Sequence, residues 1–425
     1  MRAKKHICNV GDSDMRVSIV RQGLLAADAI QRLVAGRNST TASLPENPAR
    51  ILIWSMDRIG DVQRATPLFR LLKQRYPSAA ITAVVAGRAA PILENNPYIA
   101  AIQTVTSPYD AGAHVRVLRS LASTSWDLAL LPEVDRAWAK LGEWSFRLLR
   151  VENWVTFDLG NIVPRRAVAV ALNPDGSWTD QFIAMAAAAG AVNDGQGLDL
   201  CVAEHERAWA RDFLTVQGVG PDQCFFLVHP GGGDQVVSRH WRPERYGALI
   251  DGLSRRWGWP VIVTGSAPDR PVVAAVREHC PTSFRDLCGR LDLRQLAAVI
   301  AQSTVCVMND TGPLHMAHAL RKPTVAILGP TAPQTVGIPD STTAVYADLP
   351  CRPCAFLKDW TACTNPQQFA CLANLLPDRV LAAVADLITK LDAEPLVPRH
   401  MRELNKVSAQ RISSRDPGAN FRHER

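Results

Sequence analysis

The sequence predicts an α/β protein built from two Rossmann-like domains, and three observations support this prediction. The chain has 425 residues and is 47% hydrophobic, so it is longer than a single α/β domain usually is. Short apolar runs typical of strands alternate with helical patterns, an order that implies a parallel sheet. This alternation occurs in two separate series. Because ligands bind beyond the carboxyl ends of parallel strands, we expect two sheets that face a cleft between the domains.

The first series begins near Arg50 with the apolar run ILIWSM. A helix should follow in the segment TPLFRLLKQRYP, where Thr66 is placed to cap the helix and Pro77 to end it. Further strand-like runs occupy 80–86, 101–105 and 127–131. The stretch from about 150 to 220 has a weaker pattern, with helices expected at 181–190 and 204–216, and we assign it to the domain junction.

The second series begins with the strand-like run CFFLVHP, followed by a helix that Pro243 starts. The alternation then continues, with strands expected at 260–265, 304–310 and 323–330 and helices at 268–280, 293–303, 312–322 and 377–392. We therefore expect a flexible extension at 1–48, a first domain at 49–215, a second domain at 216–392 and a basic tail at 393–425.

Charge is concentrated at the two ends of the chain. The formal net charge is +7, and residues 1–50 carry eight Lys and Arg against four Asp and Glu, while residues 391–425 carry seven against five. The nearly neutral body argues against a nucleic-acid-binding surface. The basic ends suit either solvated tails or contact with an anionic membrane. Because no apolar run of 18 residues and no signal-peptide pattern occurs, we expect a cytoplasmic protein.

The loop MDRIGD, after the first strand, carries a candidate base. Gly60 makes this loop flexible. An ionised carboxylate within hydrogen-bond reach of a sugar hydroxyl can accept its proton as the hydroxyl attacks, and Asp61 is the candidate for this role. On spacing alone, Asp57 or Asp61 is equally well placed to cap the following helix, since Asp is a favoured cap residue.

A glycine-rich loop, HPGGGDQVVSRH, follows the strand that opens the second series. Its glycines, which include Gly231 and Gly232, let backbone N–H groups approach an anion, and Arg239 offers a permanent planar charge suited to a diphosphate. The loop lacks the Lys-Ser/Thr of a P-loop and the spaced glycines of a dinucleotide fingerprint. Neither ATP hydrolysis nor NAD binding is therefore favoured, and a simple turn is the alternative.

The segment NDTGPLH lies where a strand gives way to a helix. Thr311 is placed to cap this helix and Pro313 to start it. The free N–H groups of the first turn suit a leaving diphosphate, and Gly312 leaves room for it. His315, one turn into the helix, either reaches the same phosphates or is an ordinary helix-face histidine. A carboxylate beside phosphate is repelled, so we expect Asp310 to hold backbone amides or a sugar hydroxyl.

Three segments together resemble the ADP-heptose:lipopolysaccharide heptosyltransferases, inverting enzymes of glycosyltransferase family 9 with the GT-B fold. The resemblance is carried by ILIWSMDRIGDVQRATPLFRLLKQRYPSAAITAVV, by LVHPGGGDQVVSRHWRPERYGALI with VIVTGSAPDR, and by LCGRLDLRQLAAVIAQSTVCVMNDTGPLHMAHAL. These segments cover most of residues 50–330. The resemblance implies an acceptor domain followed by a nucleotide-sugar domain.

The resemblance also implies roles for single residues, with Asp61 as the catalytic base and Arg239 as the basic phosphate-binding residue. The substrate-binding residues would be Gly60, Gly231, Gly232, Asp269, Asp310, Thr311, Gly312, Pro313 and His315. Some family members have Lys where this chain has Arg239, which keeps the charge but changes the donor geometry. Asp269 aligns only loosely with the acidic residue that binds the nucleotide ribose in relatives. The segments before residue 48 and after residue 392 exceed the usual family frame.

Four of the ten cysteines, Cys351, Cys354, Cys363 and Cys371, form a cluster in the sequence. Four thiolates this close together are able to hold Zn or Fe in a tetrahedral site. A heptosyltransferase subfamily that acts on proteins is similar in using cysteines as an iron-binding finger. Reduced cysteines in a packed loop are the alternative. In either case the metal would be structural, and catalysis would require no cofactor.

The resemblance predicts transfer of a heptose from ADP-heptose to an acceptor hydroxyl by single displacement, with a lipid-linked saccharide of the lipopolysaccharide inner core as acceptor. Such an acceptor leaves open a peripheral contact with the cytoplasmic face of the inner membrane. One alternative is a GT-B transferase that uses another nucleotide sugar or a protein acceptor. A second alternative is a catalytically silent member that serves as an interaction module.

Overall fold

The computed structural model describes residues 44–56, 58–107, 110–159, 167–231, 240–354, 363 and 365–393. The predicted N-terminal extension and basic tail lie almost entirely outside these residues. The chain divides into two compact units, which meet in the sequence at Cys201 and Val202.

In its described part, the first unit contains a six-stranded parallel sheet in the order β3-β2-β1-β4-β5-β6. The strands are β1 (Arg50–Ser55), β2 (Ala80–Ala86), β3 (Ala101–Val105), β4 (Leu128–Leu131), β5 (Trp154–Asp158) and β6 (Ala167–Ala171). The helices are α1 (Ile59–Arg64), α2 (Thr66–Arg75), α3 (Ala111–Leu121), α4 (Arg136–Leu148) and α5 (Trp178–Ala188). Every residue of β1 after Arg50 is buried, as expected for a central strand of a parallel sheet covered on both faces.

The described part of the second unit contains another six-stranded parallel sheet, in the order β12-β11-β10-β7-β8-β9. The strands are β7 (Phe226–His229), β8 (Val261–Val263), β9 (Arg285–Asp286), β10 (Val305–Asn309), β11 (Thr324–Ile327) and β12 (Thr342–Val345). The helices are α6 (Glu204–Val216), α7 (Pro243–Trp257), α8 (Arg270–Glu278), α9 (Leu293–Gln302), α10 (Gly312–Ala319), α11 (Pro333–Val336), α12 (Ala370–Ala373) and α13 (Pro377–Ala393).

Both sheets have the same topology. When the strands of each unit are counted from its first strand, the order in each sheet is 3-2-1-4-5-6. This is the doubly wound Rossmann order, in which the connections run in opposite directions from the first and fourth strands and leave a crevice at their carboxyl ends. The crevices therefore lie between β1 and β4 in the first unit and between β7 and β10 in the second.

The boundary between the units lies before the predicted one, which followed residue 215. Helix α6 packs against α9 of the second unit, and the Arg294 guanidinium pairs with the Glu206 carboxylate at 2.6 Å. These contacts place α6 in the second unit, whereas its sequence pattern alone assigned it to the first domain.

Thr66 does not cap α2 as predicted. Ala65 occupies the N-cap position, and the Thr66 hydroxyl instead donates to the Gln63 carbonyl at 2.8 Å and accepts from the Asp199 N–H at 2.9 Å. Helix α2 ends at Arg75, ahead of Pro77 as expected. In the part of the chain that the structure describes, no helix combines the length and the apolar character needed to cross a membrane.

Candidate functional site

Asp61 lies in the first turn of α1, directly after β1, and Gly60 lies in the same turn. The N-cap position belongs to Arg58, so Asp61 is not the residue that caps the helix. The Asp61 carboxylate forms an ion pair with Arg64 one turn later, and its side chain stays 25% exposed. Arg64 also lies over the Trp178 ring, 5.9 Å from the ring centroid. Asp57, the other cap candidate, lies outside the described residues.

A buried carboxylate links the two strands at the crevice of the first unit. Glu133, just after β4, is fully buried and accepts a hydrogen bond from the backbone N–H of Met56 at the end of β1. Glu133 was not among the predicted site residues. An acidic residue two positions after the apolar run LALL is the signal that would have indicated it.

An amide performs the same task in the second unit. Asn309, the last residue of β10, is fully buried, and its side-chain N–H donates to the Pro230 carbonyl after β7 at 3.1 Å. The Tyr246 hydroxyl donates to the side-chain oxygen of the same Asn309. Burial raises the pKa of Tyr246 far above its ordinary value, so the tyrosine remains a hydrogen-bond donor at neutral pH.

Gly231, just after β7, lies against the Asp269 carboxylate. A Cβ atom at Gly231 would come within 2.7 Å of one Asp269 oxygen and 3.0 Å of the other. Asp269 is itself 7% exposed, and its Oδ2 accepts from the Ser266 N–H at 2.8 Å and the Ser266 hydroxyl at 2.6 Å. Only glycine fits this contact without displacing the carboxylate, so these two predicted residues form one side of the crevice.

The N-terminal end of α10 brings the predicted segment from Asp310 to His315 together. Asp310 and His315 are 5% and 3% exposed, and the His315 Nε2 lies 3.8 Å from one Asp310 oxygen. The other Asp310 oxygen accepts a hydrogen bond from the Thr331 hydroxyl at 2.7 Å. Asp310 is therefore held by a hydroxyl that the sequence analysis did not single out.

Thr311 occupies the N-cap position of α10, followed by Gly312 and Pro313 in the first turn, as predicted. Its side chain, however, makes no capping hydrogen bond and donates instead to the Asn309 carbonyl at 3.3 Å. The hydroxyl therefore does not take up a backbone N–H of the first turn of α10, where such groups suit an anion.

Two buried histidines near this crevice are neutral at pH 7. His229, at the end of β7, contacts the Thr264 hydroxyl through Nδ1 at 3.0 Å, and burial lowers the pKa of His229 to about 4. Burial likewise lowers the pKa of His318, on α10, to about 4. Neither ring therefore contributes a positive charge to the crevice at neutral pH.

The predicted metal centre stays a prediction, because residues 355–362 and 364, between its cysteines, lie outside the described residues. None of the four cysteines of the cluster forms a disulfide, and among the residues that the structure describes, no group of three His, Cys, Asp or Glu side chains is arranged to hold a metal ion. Burial raises the pKa of Cys371. The Cys351 sulfur accepts from the Asn365 amide at 3.3 Å, as expected for a packed thiol.

Arg239 and Gly232, the remaining predicted site residues, lie outside the described residues. The described residues of the second unit thus bring together Gly231, Asp269 and the segment from Asp310 to His315 at the ends of adjacent strands. Asp61 belongs to the first unit and lies at the end of its own central strand.

Comparison with known proteins shows which proteins this chain is similar to. Residues 179–365 match the model of glycosyltransferase family 9 (heptosyltransferase). The Salmonella typhimurium lipopolysaccharide heptosyltransferase 2 is 25% identical over 306 residues, which cover 67% of this chain and 84% of that protein. The Haemophilus influenzae lipooligosaccharide heptosyltransferase 2 is 33% identical over 119 residues, so the match spans 27% of this chain and only 34% of that protein.

Solved structures of the family share the fold. A family 9 glycosyltransferase from Veillonella parvula is similar with a TM-score of 0.72 and 19% identity, covering 83% of this chain and 100% of that one. The E. coli ADP-heptose lipopolysaccharide heptosyltransferase II is similar with a TM-score of 0.63 and 21% identity, covering 80% of this chain and 99% of that one. The predicted fold class, GT-B with two Rossmann-like parallel sheets, is confirmed.

Proposed function

We propose that this protein is an inverting heptosyltransferase of glycosyltransferase family 9 that moves a heptose from ADP-heptose to an acceptor hydroxyl of the lipopolysaccharide inner core. The sugar and the acceptor are those that the names of its relatives give. The observation that carries the proposal is the crevice of the second unit, where Gly231, Asp269 and the start of α10 meet at the ends of neighbouring strands. Such a crevice is where doubly wound folds bind nucleotides.

In the proposed reaction, the acceptor oxygen forms a bond to the anomeric carbon while the bond from that carbon to the diphosphate breaks. Asp61 takes the proton of the acceptor hydroxyl, and ADP leaves with the electron pair of the broken bond. Asp61 suits this role because its carboxylate is partly exposed and lies in the first turn of the helix that follows β1. A single displacement of this kind inverts the anomeric carbon.

The second unit is proposed to bind the donor. Its first α10 turn offers backbone N–H groups and the positive end of a helix dipole to the departing diphosphate, and Arg239 adds a permanent charge. Gly312 and Pro313 lie in this turn. These groups stabilise the negative charge that develops as ADP leaves. Such electrostatic stabilisation by preorganised donors is usually the largest single contribution to catalysis.

The roles of the two regions follow from this assignment. The first unit is proposed to be the acceptor domain and the second unit the nucleotide-sugar domain, with the observed division at Cys201 and Val202 in place of the expected one after residue 215. We further propose that the protein works in the cytoplasm and touches the inner membrane peripherally, because the proposed acceptor is lipid-linked and the ends of the chain are basic. Sedimentation with anionic vesicles tests this contact, and binding that salt does not weaken would contradict it.

A direct transfer assay tests the proposed function. Purified protein is incubated with ADP-heptose and lipopolysaccharide lacking inner-core heptose, and both ADP release and the mass of the acceptor are measured. We expect one heptose added for each ADP released. Equal activity with UDP- or GDP-sugars, or transfer to protein only, would overturn the proposal.

A further inference from the structure

The motif Cys351-Arg352-Pro353-Cys354 has a second feature besides its cysteines. The Arg352 guanidinium donates hydrogen bonds to three backbone carbonyls: Gly329 at 2.5 Å, Thr331 at 2.9 Å and Ala347 at 2.9 Å. The guanidinium also lies over the Tyr346 ring, 4.4 Å from its centroid. A half-buried arginine with this many main-chain acceptors fixes the backbone around it.

The backbone that Arg352 holds is the loop after β11. Gly329 and Thr331 lie at the carboxyl end of this strand, and β11 is the neighbour of β10 in the sheet. The Cys354 N–H reinforces the link, because it donates to the Pro330 carbonyl between them at 3.1 Å. The Cys351 to Cys354 segment therefore sets the position of a loop that borders the donor crevice.

This loop reaches the proposed donor site through one side chain. The Thr331 hydroxyl, whose own carbonyl accepts from Arg352, donates to Asp310 Oδ2 at 2.7 Å in a buried contact. Asp310 directly precedes the first turn of α10. A shift of Thr331 therefore moves the hydrogen-bond donor that holds Asp310 at the start of this helix.

We propose that Arg352 is a positioning residue of the donor site, acting on Asp310 through the Thr331 loop. The inference rests on the proposed function, since it takes the second unit to be the nucleotide-sugar domain. In this proposal, the Cys351 to Cys354 motif acts through its arginine and not through metal binding by the flanking cysteines. Arginine is required because its planar fork presents several N–H donors at once, which a lysine ammonium on one flexible stem does not reproduce.

Isothermal titration of ADP into wild type, Arg352→Ala and Thr331→Val tests the proposal. Both variants should bind ADP about tenfold more weakly, because each releases the same hydrogen-bonded unit. The double variant should be no weaker than either single variant, since residues that act in series are not additive. Arg352→Lys should resemble Arg352→Ala, and an added alkylguanidinium should restore affinity to Arg352→Ala but not to Thr331→Val.

Arg245→Ala is the matched control. Arg245 is a half-buried arginine of the same unit whose guanidinium also donates to a backbone carbonyl, that of Leu375, far along the chain from the β11 loop. It should lower the thermal midpoint as Arg352→Ala does while leaving ADP affinity unchanged. A wild-type protein that binds no ADP would refute the proposed function itself. If the wild type binds ADP and both Thr331→Val and Arg352→Ala bind it as tightly as the wild type does, the positioning role alone is overturned. If Arg352→Ala does not fold, wild-type affinity in Thr331→Val has the same meaning.

Discussion

The first and second units have the same strand order, yet the acidic side chains at their crevices have different surroundings. In the first unit, Asp61 is 25% exposed and pairs with an arginine of its own helix. In the second unit, Asp269 and Asp310 are 7% and 5% exposed and accept hydrogen bonds from Ser266 and Thr331 hydroxyls. A partly exposed carboxylate is able to exchange a proton with a substrate, whereas a buried carboxylate held by hydroxyls serves to fix the backbone around it.

The side chains that link the fourth strand of each sheet to the first also differ between the units. Glu133 joins β4 to β1 with a carboxylate acceptor, and Asn309 joins β10 to β7 with a neutral amide donor. A neutral bridge suits the unit proposed to bind a diphosphate, because a further buried negative charge there would repel the ligand. At equivalent strand ends, the two sheets thus carry different bridging side chains, a glutamate and an asparagine.

The largest expected effect tests the role of the exposed carboxylate. Asp61→Asn should reduce the rate of heptose transfer by about 10²–10⁴-fold, because it removes the proposed general base. ADP affinity should be unchanged, since Asp61 is not proposed to contact the nucleotide. Steady-state kinetics and calorimetry measure the two quantities.

Asp110→Ala is the control for this variant. Asp110 is also a partly exposed aspartate of the first unit, but its side chain caps α3 by accepting from the Ala113 N–H at 3.0 Å. It should cost about 1 kcal/mol of stability and leave the transfer rate intact. A near-normal rate in folded Asp61→Asn would end the assignment of the base.

Replacing the amide bridge tests the second unit. Asn309→Leu should lower the free energy of unfolding by about 3 kcal/mol, because it leaves the buried Tyr246 hydroxyl and the Pro230 carbonyl without their partner. Glu133→Gln should cost less, since the glutamine oxygen still accepts from the Met56 N–H. Urea denaturation of both variants measures the difference, and a larger loss for Glu133→Gln would contradict this account.

Acid should destabilise the second unit through its buried histidines. His318 has an ordinary pKa of 6.5 when unfolded and about 4 when folded, so the unfolded chain binds a proton that the folded chain does not. Stability should fall as pH drops from 6.5 towards 4, by up to about 3 kcal/mol for this group. Thermal unfolding of His318→Leu should show a smaller decline over this window, whereas Leu at the exposed His279 should not alter it. An unchanged decline in His318→Leu would contradict the role of this residue.

A smaller effect is expected where Gly231 meets Asp269. Gly231→Ala places a Cβ within 2.7 Å of the Asp269 carboxylate, and such overpacking costs about 1–3 kcal/mol. ADP affinity should fall in parallel. Gly220→Ala serves as the comparison, because its Cβ would approach neighbours no closer than 3.8 Å. Equal ADP affinity in the two variants would show that the Gly231 contact is not part of the donor site.

The sequence predicted the central elements of both sheets because their signals are local. The helix expected from Pro243 is observed as Pro243–Trp257, ended by Gly258 in a left-handed conformation with φ of 67°. Strands β5, β6, β9 and β12 were missed. β9 has only two residues, too few to form a pattern, and β5 and β6 lie in the stretch from about 150 to 220 that was assigned to the domain junction.

The candidate site was predictable only where its residues are contiguous. The segment from Asp310 to His315 forms one turn, so its spacing reveals it. The partners that hold it are distant in sequence, with Tyr246 63 residues from Asn309 and Thr331 21 residues from Asp310. Such tertiary contacts leave no periodicity in the sequence. The cysteine spacing is visible in the sequence and predicted a metal centre. The carbonyl partners of Arg352 are set by the fold, so this arginine was not predicted.

The most direct test of the account is a calorimetric titration of ADP, GDP and UDP into the purified wild type and Arg239→Ala. The account predicts tight binding that is selective for ADP and is lost in the variant, because the second unit is taken to bind the diphosphate of an ADP-sugar. Absence of binding by any nucleotide, or equal affinity for all three in both proteins, would contradict it.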